Sequence, residues 1–93
     1  MPIVHTDKAE IYYDVMGEGP AVILAHGAEG NALSWFQQVP VLAERYRTVV
    51  FDHRGFGRSV CAPDDLQPGK FGADILAVMD ALEITRAAII AQS

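Results

Sequence analysis

Basic side chains are scarce in this sequence and nowhere clustered. Seven lysines and arginines stand against twelve aspartates and glutamates, for a net charge of −5. Nucleic acids and anionic membrane surfaces are gripped by clustered Lys and Arg, so neither is expected as a partner. Cysteine is nearly missing. Cys61 stands alone, which excludes an intramolecular disulfide and a four-cysteine metal site and leads us to expect a reducing, cytoplasmic setting. No apolar run reaches the roughly 18 residues that a spanning helix needs. The opening MPIVHTDKAEIYY also lacks the basic head and apolar stretch of a signal peptide. Repeats and low-complexity segments are absent.

What is present is a globular composition, 51% apolar and 20% charged, far from disordered or fibrous chains. At 93 residues there is room for at most one domain. A chain of this size buries somewhat over about 60% of its extended surface.

Short apolar segments divide the chain. Ile3 to His5 and Ala9 to Met16 predict two strands paired through a turn near Thr6–Lys8, an antiparallel edge. Gly17–Pro20 is a strong break. Ala21 to Ala25 is continuously apolar, as in a strand buried on both faces of a parallel sheet. It runs into His26–Gly27 and a turn-rich stretch containing Gly30 and Asn31. Ser34 and Gln37 have capping-box spacing, and Trp35, Val39 and Leu42 share one helical face. We therefore expect one helix over 35–45, kinked by Pro40. Arg47 to Phe51 predicts a second buried parallel strand, and Asp52 to Lys70 a long loop without regular structure. A helix is expected from Phe71 to Leu82, with Ile75, Val78, Met79 and Leu82 on its apolar face and Asp74 and Asp80 toward solvent. A last strand should run from Ala87 to Ala91. The class is α/β: antiparallel edge strands, then parallel strands with crossover helices. The final strand would be central in a larger sheet. Its open edge leads us to expect a truncated chain and a route to self-association.

Three places carry residues capable of chemistry. Ser93 follows Gln92 at the carboxyl end of the last strand, where open α/β sheets bind ligands. A serine needs a neighbouring base to act as a nucleophile, and A-Q-S is half of a G-x-S-x-G elbow with Ala91 in place of glycine. His26 follows another strand. It is a candidate base or ligand, but the preferred role is a ring hydrogen-bonded to loop backbone that fixes the turn. No second ligand stands at metal spacing beside it. Backbone N–H groups of that glycine-rich turn suit a developing oxyanion. The third place is Asp52 to Ser59, DHRGFGRS. Its G-F-G only partly matches a phosphate loop. Asp52 and Arg54 are expected to form a buried ion pair that locks it, while Arg58 is a candidate to reach substrate. Trp35 and Phe36 should pack helix on sheet, and Tyr12 and Tyr13 should lie one inward and one outward. Cys61 has no evident activating base. His5 and His53 have no identifiable partner.

In this order the pieces resemble the N-terminal half of an α/β-hydrolase, and the resemblance covers nearly the whole chain. HG at 26–27 resembles the family's oxyanion turn, and GNALSW at 30–35 its G-N-x-x-x-W stretch. DHRGFGRS at 52–59 resembles its D-x-R-G-x-G-x-S loop, the most specific match. The resemblance implies Ser93 as nucleophile and the backbone N–H of Ala28 as one oxyanion donor. His26, Gly27 and Gln92 would shape the site, with Asp52, Arg54, Gly55, Gly57 and Ser59 forming a structural loop. The second donor, the acid and the histidine would come later in chain order, which makes 1–93 a partial domain. No cofactor or metal is implied. Glu29 places a charge near the oxyanion turn. HGAEG also lacks the H-G-x-P form of epoxide hydrolases and dehalogenases, which use aspartate where this chain has Ser93, so the serine branch is favoured. The implied activity of the full-length form is hydrolysis of a small-molecule ester, lactone or C–C bond through an acyl-enzyme, or a cofactor-free perhydrolase or haloperoxidase-like reaction. The chain alone is expected to be inactive. A non-catalytic remnant that needs a partner to complete its sheet is the alternative. A Rossmann-like nucleotide binder is disfavoured, because HGAEG lacks phosphate-loop glycines.

Overall fold

The structure is a computed structural model that describes residues 2–6, 8–27 and 30–91, the side chain of Pro68 excepted. Six strands form one sheet: β1 (Ile3–Thr6), β2 (Ala9–Met16), β3 (Ala21–Ala25), β4 (Arg47–Phe51), β5 (Val60–Cys61) and β6 (Ala87–Ala91). The order is β1-β2-β4-β3-β6, with β5 attached to β2. β1 and β2 pair antiparallel, Ile3 opposite Tyr12 and Thr6 opposite Ala9. The second half of β2 runs antiparallel to β4, while β4, β3 and β6 are mutually parallel. The α/β class and the antiparallel edge are therefore as expected.

Side-chain alternation builds two cores. Ile11, Tyr13, Ile23, Val49 and Phe51 point to one face and meet Val78 and Ile84. Val22, Leu24 and Val50 point to the other and meet Trp35 and Val39. Helix α2 (Phe71–Ala81) covers the first face and helix α1 (Val39–Leu42) the second.

The single kinked helix over 35–45 does not form. A 3₁₀ turn at Ala32–Trp35 ends before α1 begins. Pro40 sits in the first turn of α1, where its missing N–H costs nothing. The capping box is also one turn earlier than expected: Asn31 caps the 3₁₀ turn reciprocally with Ser34. The connection after β4 is more ordered than its composition implies. It contains β5 and 3₁₀ turns at Pro63–Asp65 and Pro68–Lys70. Tyr12 and Tyr13 are both buried rather than one in and one out. Tyr13 joins the core under α2, while Tyr12 is covered on the opposite face, its ring lying 4.9 Å from the Arg58 guanidinium carbon.

Candidate active site

Three parallel strands end together. Ala25 of β3 lies opposite Ala91 of β6, and Leu24 pairs with Val50 of β4. The chain thus delivers His26–Gly27 and Asp52 to the end of the sheet at which β6 reaches Ala91, where ligands bind in open α/β folds. Ala28, Glu29, Gln92 and Ser93 lie outside the described residues.

His26 is 3% exposed, and both of its ring nitrogens are engaged. The His53 N–H donates to Nε2 at 2.8 Å, which makes Nε2 the acceptor. The proton therefore sits on Nδ1, which donates to the Gly27 carbonyl at 2.7 Å. The Gly30 N–H donates to the same carbonyl at 3.0 Å. His26 fixes the turn through loop backbone, as expected, and has no nitrogen left to act as a base.

His53 escaped the sequence reading. Its ring stacks on Phe71 at 4.1 Å and 15° and meets His26 and Phe51 edge-on at 4.5 and 4.9 Å. Its Nδ1 is buried without a partner among the described residues. Burial, followed by the neighbouring His26, lowers its pKa from 6.5 to about 4. The available signal was the recurrence of aromatic residues at 51, 53, 56 and 71.

The 52–59 loop is an anchor. The Asp52 carboxylate accepts the Ala32 N–H at 2.5 Å and the Arg58 N–H at 2.9 Å, joining this loop to the turn after β3. The Ser59 hydroxyl donates to the Asp52 carbonyl at 2.6 Å and accepts the Tyr12 N–H at 2.9 Å. Gly57 has φ +53°, and an added Cβ would lie 2.5 Å from an Asp52 carboxylate oxygen, so the position demands glycine on both counts.

The expected Asp52–Arg54 pair is replaced by another. Arg54 and Asp74 are both fully buried, joined by Nε to Oδ2 at 2.8 Å and Nη2 to Oδ1 at 2.6 Å. Arg54 Nη1 also donates to the Asp65 carbonyl at 3.1 Å. Asp74 does not face solvent because it lies one helical turn before Val78, on the buried face of α2. Asp80 is exposed, as expected. Trp35 packs inward while Phe36 is 69% exposed. Phe36 instead lines a groove of about 410 Å³ with Tyr12, Leu33, Val39 and the exposed Arg58. His26 and Gly27 take no part in its wall.

Among the described residues no group of three His, Cys, Asp or Glu is placed to hold a metal. No described helix is long and apolar enough to cross a membrane.

The sequence profile of the alpha/beta hydrolase fold matches residues 20–93. With this sheet order and these turns, the chain belongs to the α/β-hydrolase fold family. It is 42% identical over 89 residues to RutD of Caulobacter segnis, named provisionally as a carbamate hydrolase, covering 86% of this chain and 32% of that one. It is 32% identical over 91 residues to an epoxide hydrolase of Caballeronia sordidicola, covering 94% of this chain and 27% of that one. The solved structure of Est816, an N-acyl homoserine lactone degrading enzyme, superposes with a TM-score of 0.90 at 35% identity, covering 95% of this chain and 34% of that one. The chain thus spans about a third of the length of these relatives.

Proposed function

We propose that residues 1–93 form the nucleophile-bearing part of a serine hydrolase that cleaves a small-molecule ester, lactone or C–C bond beside a carbonyl. The observation that carries this is the parallel pairing of β3 and β6 with Ala25 opposite Ala91. It supports Ser93 and the Gly27 turn as neighbours at the carboxyl edge. The Gly27 carbonyl is held from two sides, by His26 Nδ1 and by the Gly30 N–H. In this reading the turn so held supplies the Ala28 N–H as one oxyanion donor. In the proposed reaction Ser93 Oγ gives its proton to a base and bonds to the carbonyl carbon. The oxyanion rests on the Ala28 N–H. The tetrahedral centre collapses with loss of the protonated leaving group, and water cleaves the resulting ester. Among the described residues no histidine is placed to serve as that base. Both His26 nitrogens are occupied, His53 is sealed among aromatic rings, and His5 lies on β1 beside Glu10.

Likeness to an epoxide hydrolase does not displace this reading, because HGAEG lacks the H-G-x-P form and the family resemblance implies serine rather than aspartate as the nucleophile here. The 93-residue chain alone is expected to show no ester turnover and no rapid stoichiometric labelling by a fluorophosphonate. In the chain as the cell makes it, Ser93→Ala should abolish labelling and lower kcat/KM by about 10⁴-fold or more. Undiminished ester hydrolysis in that variant would sink the assignment.

A further inference from the structure

Arg58 belongs to the 52–59 loop, but its side chain takes no part in the anchoring. Gly57 turns the chain with φ +53°. The Arg58 N–H then reaches the Asp52 carboxylate, while the side chain crosses over Tyr12, its guanidinium carbon 4.9 Å from the ring centroid. The guanidinium makes no ion pair among the described residues. Laid on an aromatic face, a guanidinium keeps its N–H fork for a planar carboxylate. Asn31 is brought to the same place, because the other Asp52 oxygen takes the N–H of the next residue, Ala32. Asn31 Oδ1 is spent on the Leu33 N–H at 2.8 Å, which leaves Nδ2 as a donor with no partner among the described residues.

These two donors stand at the groove of about 410 Å³, a volume that suits a small molecule. Its floor is the face of β2 and β4 that carries Tyr12, Met16 and Val50, and Leu33 and Phe36 wall it from the 3₁₀ turn. Leu33 and Phe36 are both largely exposed, an apolar rim of the kind that marks binding grooves. Strand alternation sets Asp14 into the same floor, between Tyr12 and Met16. Asp14 is half-buried. Its Oδ1 accepts the Val15 N–H at 2.9 Å, and Oδ2 has no partner among the described residues. Asp52 also lines the groove, but each of its oxygens already takes a backbone N–H. The groove therefore offers two donors at one end and one acceptor within an apolar floor.

We propose that this groove is an accessory binding site for an aryl carboxylate whose ring system carries an N–H or O–H. The carboxylate sits on Arg58 and Asn31, the ring lies against Phe36 and the β2 floor, and the ring donor meets Asp14. The net charge of −5 repels an anion at long range. At about 0.15 M salt the Debye length is only about 8 Å, so the adjoining guanidinium outweighs distant carboxylates. A cationic amine would face Arg58 instead. A plain hydrocarbon would strip water from Arg58 and Asp14 and give them nothing in return. Neither His26 nor Gly27 lines the groove, so the site stands whether or not Ser93 is the nucleophile.

The test titrates the ¹⁵N-labelled chain with indole-3-propionate, its primary amide and tryptamine at neutral pH and about 0.15 M salt. The acid should saturate with a Kd of about 1 mM or tighter and shift the amides of Leu33, Gly57 and Arg58. The amide and tryptamine should each bind about ten-fold more weakly, for want of the charge-assisted bonds to Arg58. Arg58→Met keeps the backbone N–H on Asp52 and should reduce the acid to the level of the amide, with the amide itself unchanged. Phe36→Ala should weaken acid and amide alike. Both side chains are exposed, so neither change should disturb the fold. Should a variant misfold, the ranking of the three ligands on the wild type and the position of the shifted amides decide. Tryptamine binding as tightly as the acid, an acid Kd unmoved by Arg58→Met, shifts that map outside the groove, or no saturable shift up to about 10 mM would each overturn the site.

Discussion

Arg54 and Asp74 bury two full charges at zero exposure, and each is tolerated there only because of the other. Removing one partner leaves an unpaired charge in the core, which costs about 3–5 kcal/mol. That is a large fraction of the roughly 5–15 kcal/mol that stabilises an ordinary domain. Arg54→Met should therefore lower the urea midpoint severely. The double replacement Arg54→Met with Asp74→Leu should recover most of that loss, since apolar pairs of similar volume often replace buried ion pairs at little cost. A double variant no more stable than Arg54→Met would show that the pair acts through something other than its charge. The pair also marks where sequence ended as a guide. Spacing shows local demands, so the glycines and Ser59 of the 52–59 loop could be recognised from the motif. It does not show which of twelve carboxylates the fold will bring to a given arginine. Asp52 was close in sequence, but its oxygens are spent on backbone N–H groups. Asp74 is twenty residues away, on what periodicity alone assigns to the polar side of a helix.

Among the elements, α2 ends in a way its sequence does not advertise. The Glu83 N–H donates to the Asp80 carbonyl and the Ile84 N–H to that of Met79. Ile84 and Met79 meet in the core, so this is a Schellman stop. Its left-handed residue, at φ +57°, is Glu83 rather than glycine. A side chain in that conformation costs roughly 1–2 kcal/mol, partly offset by the added freedom that glycine gives the unfolded chain. Glu83→Gly should accordingly stabilise by about 1 kcal/mol, read as a higher urea midpoint at unchanged slope. An unchanged or lower midpoint would mean that Glu83 makes a compensating contact. Strands β1 to β4 and β6 and the apolar stripe of α2 were legible from periodicity because each is long enough to repeat. The two-residue β5 and the three-residue turns between 63 and 70 are shorter than any period. Pro40 is ambiguous in sequence because one proline can kink a helix or begin one, and only packing decides which.

At the scale of the whole molecule, the sheet has one edge at β1 and another at β6. β1 and β5 flank the start of β2, but beyond β6 no strand follows among the described residues. Beyond Ala87 both faces of β6 are exposed as well. Ala87 packs against the edge of the core, while Ile89 and Ile90, pointing to opposite faces, are 52% and 44% exposed. An apolar strand with an unpaired edge is a template for another chain. The prediction is self-association through β6, seen in sedimentation velocity as a weight-average coefficient that rises with concentration. Ile90→Lys and Ile89→Lys each put a charge on a different face of the same edge, and lysine is what natural sheets use to block such pairing. Because both side chains are already half exposed, neither change should alter stability by more than about 0.5 kcal/mol. Either should hold the chain closer to a monomer at concentrations where the wild type associates. Association that persists undiminished in both variants would locate it elsewhere, with the exposed Leu33 and Phe36 beside α1 as the next surface to alter.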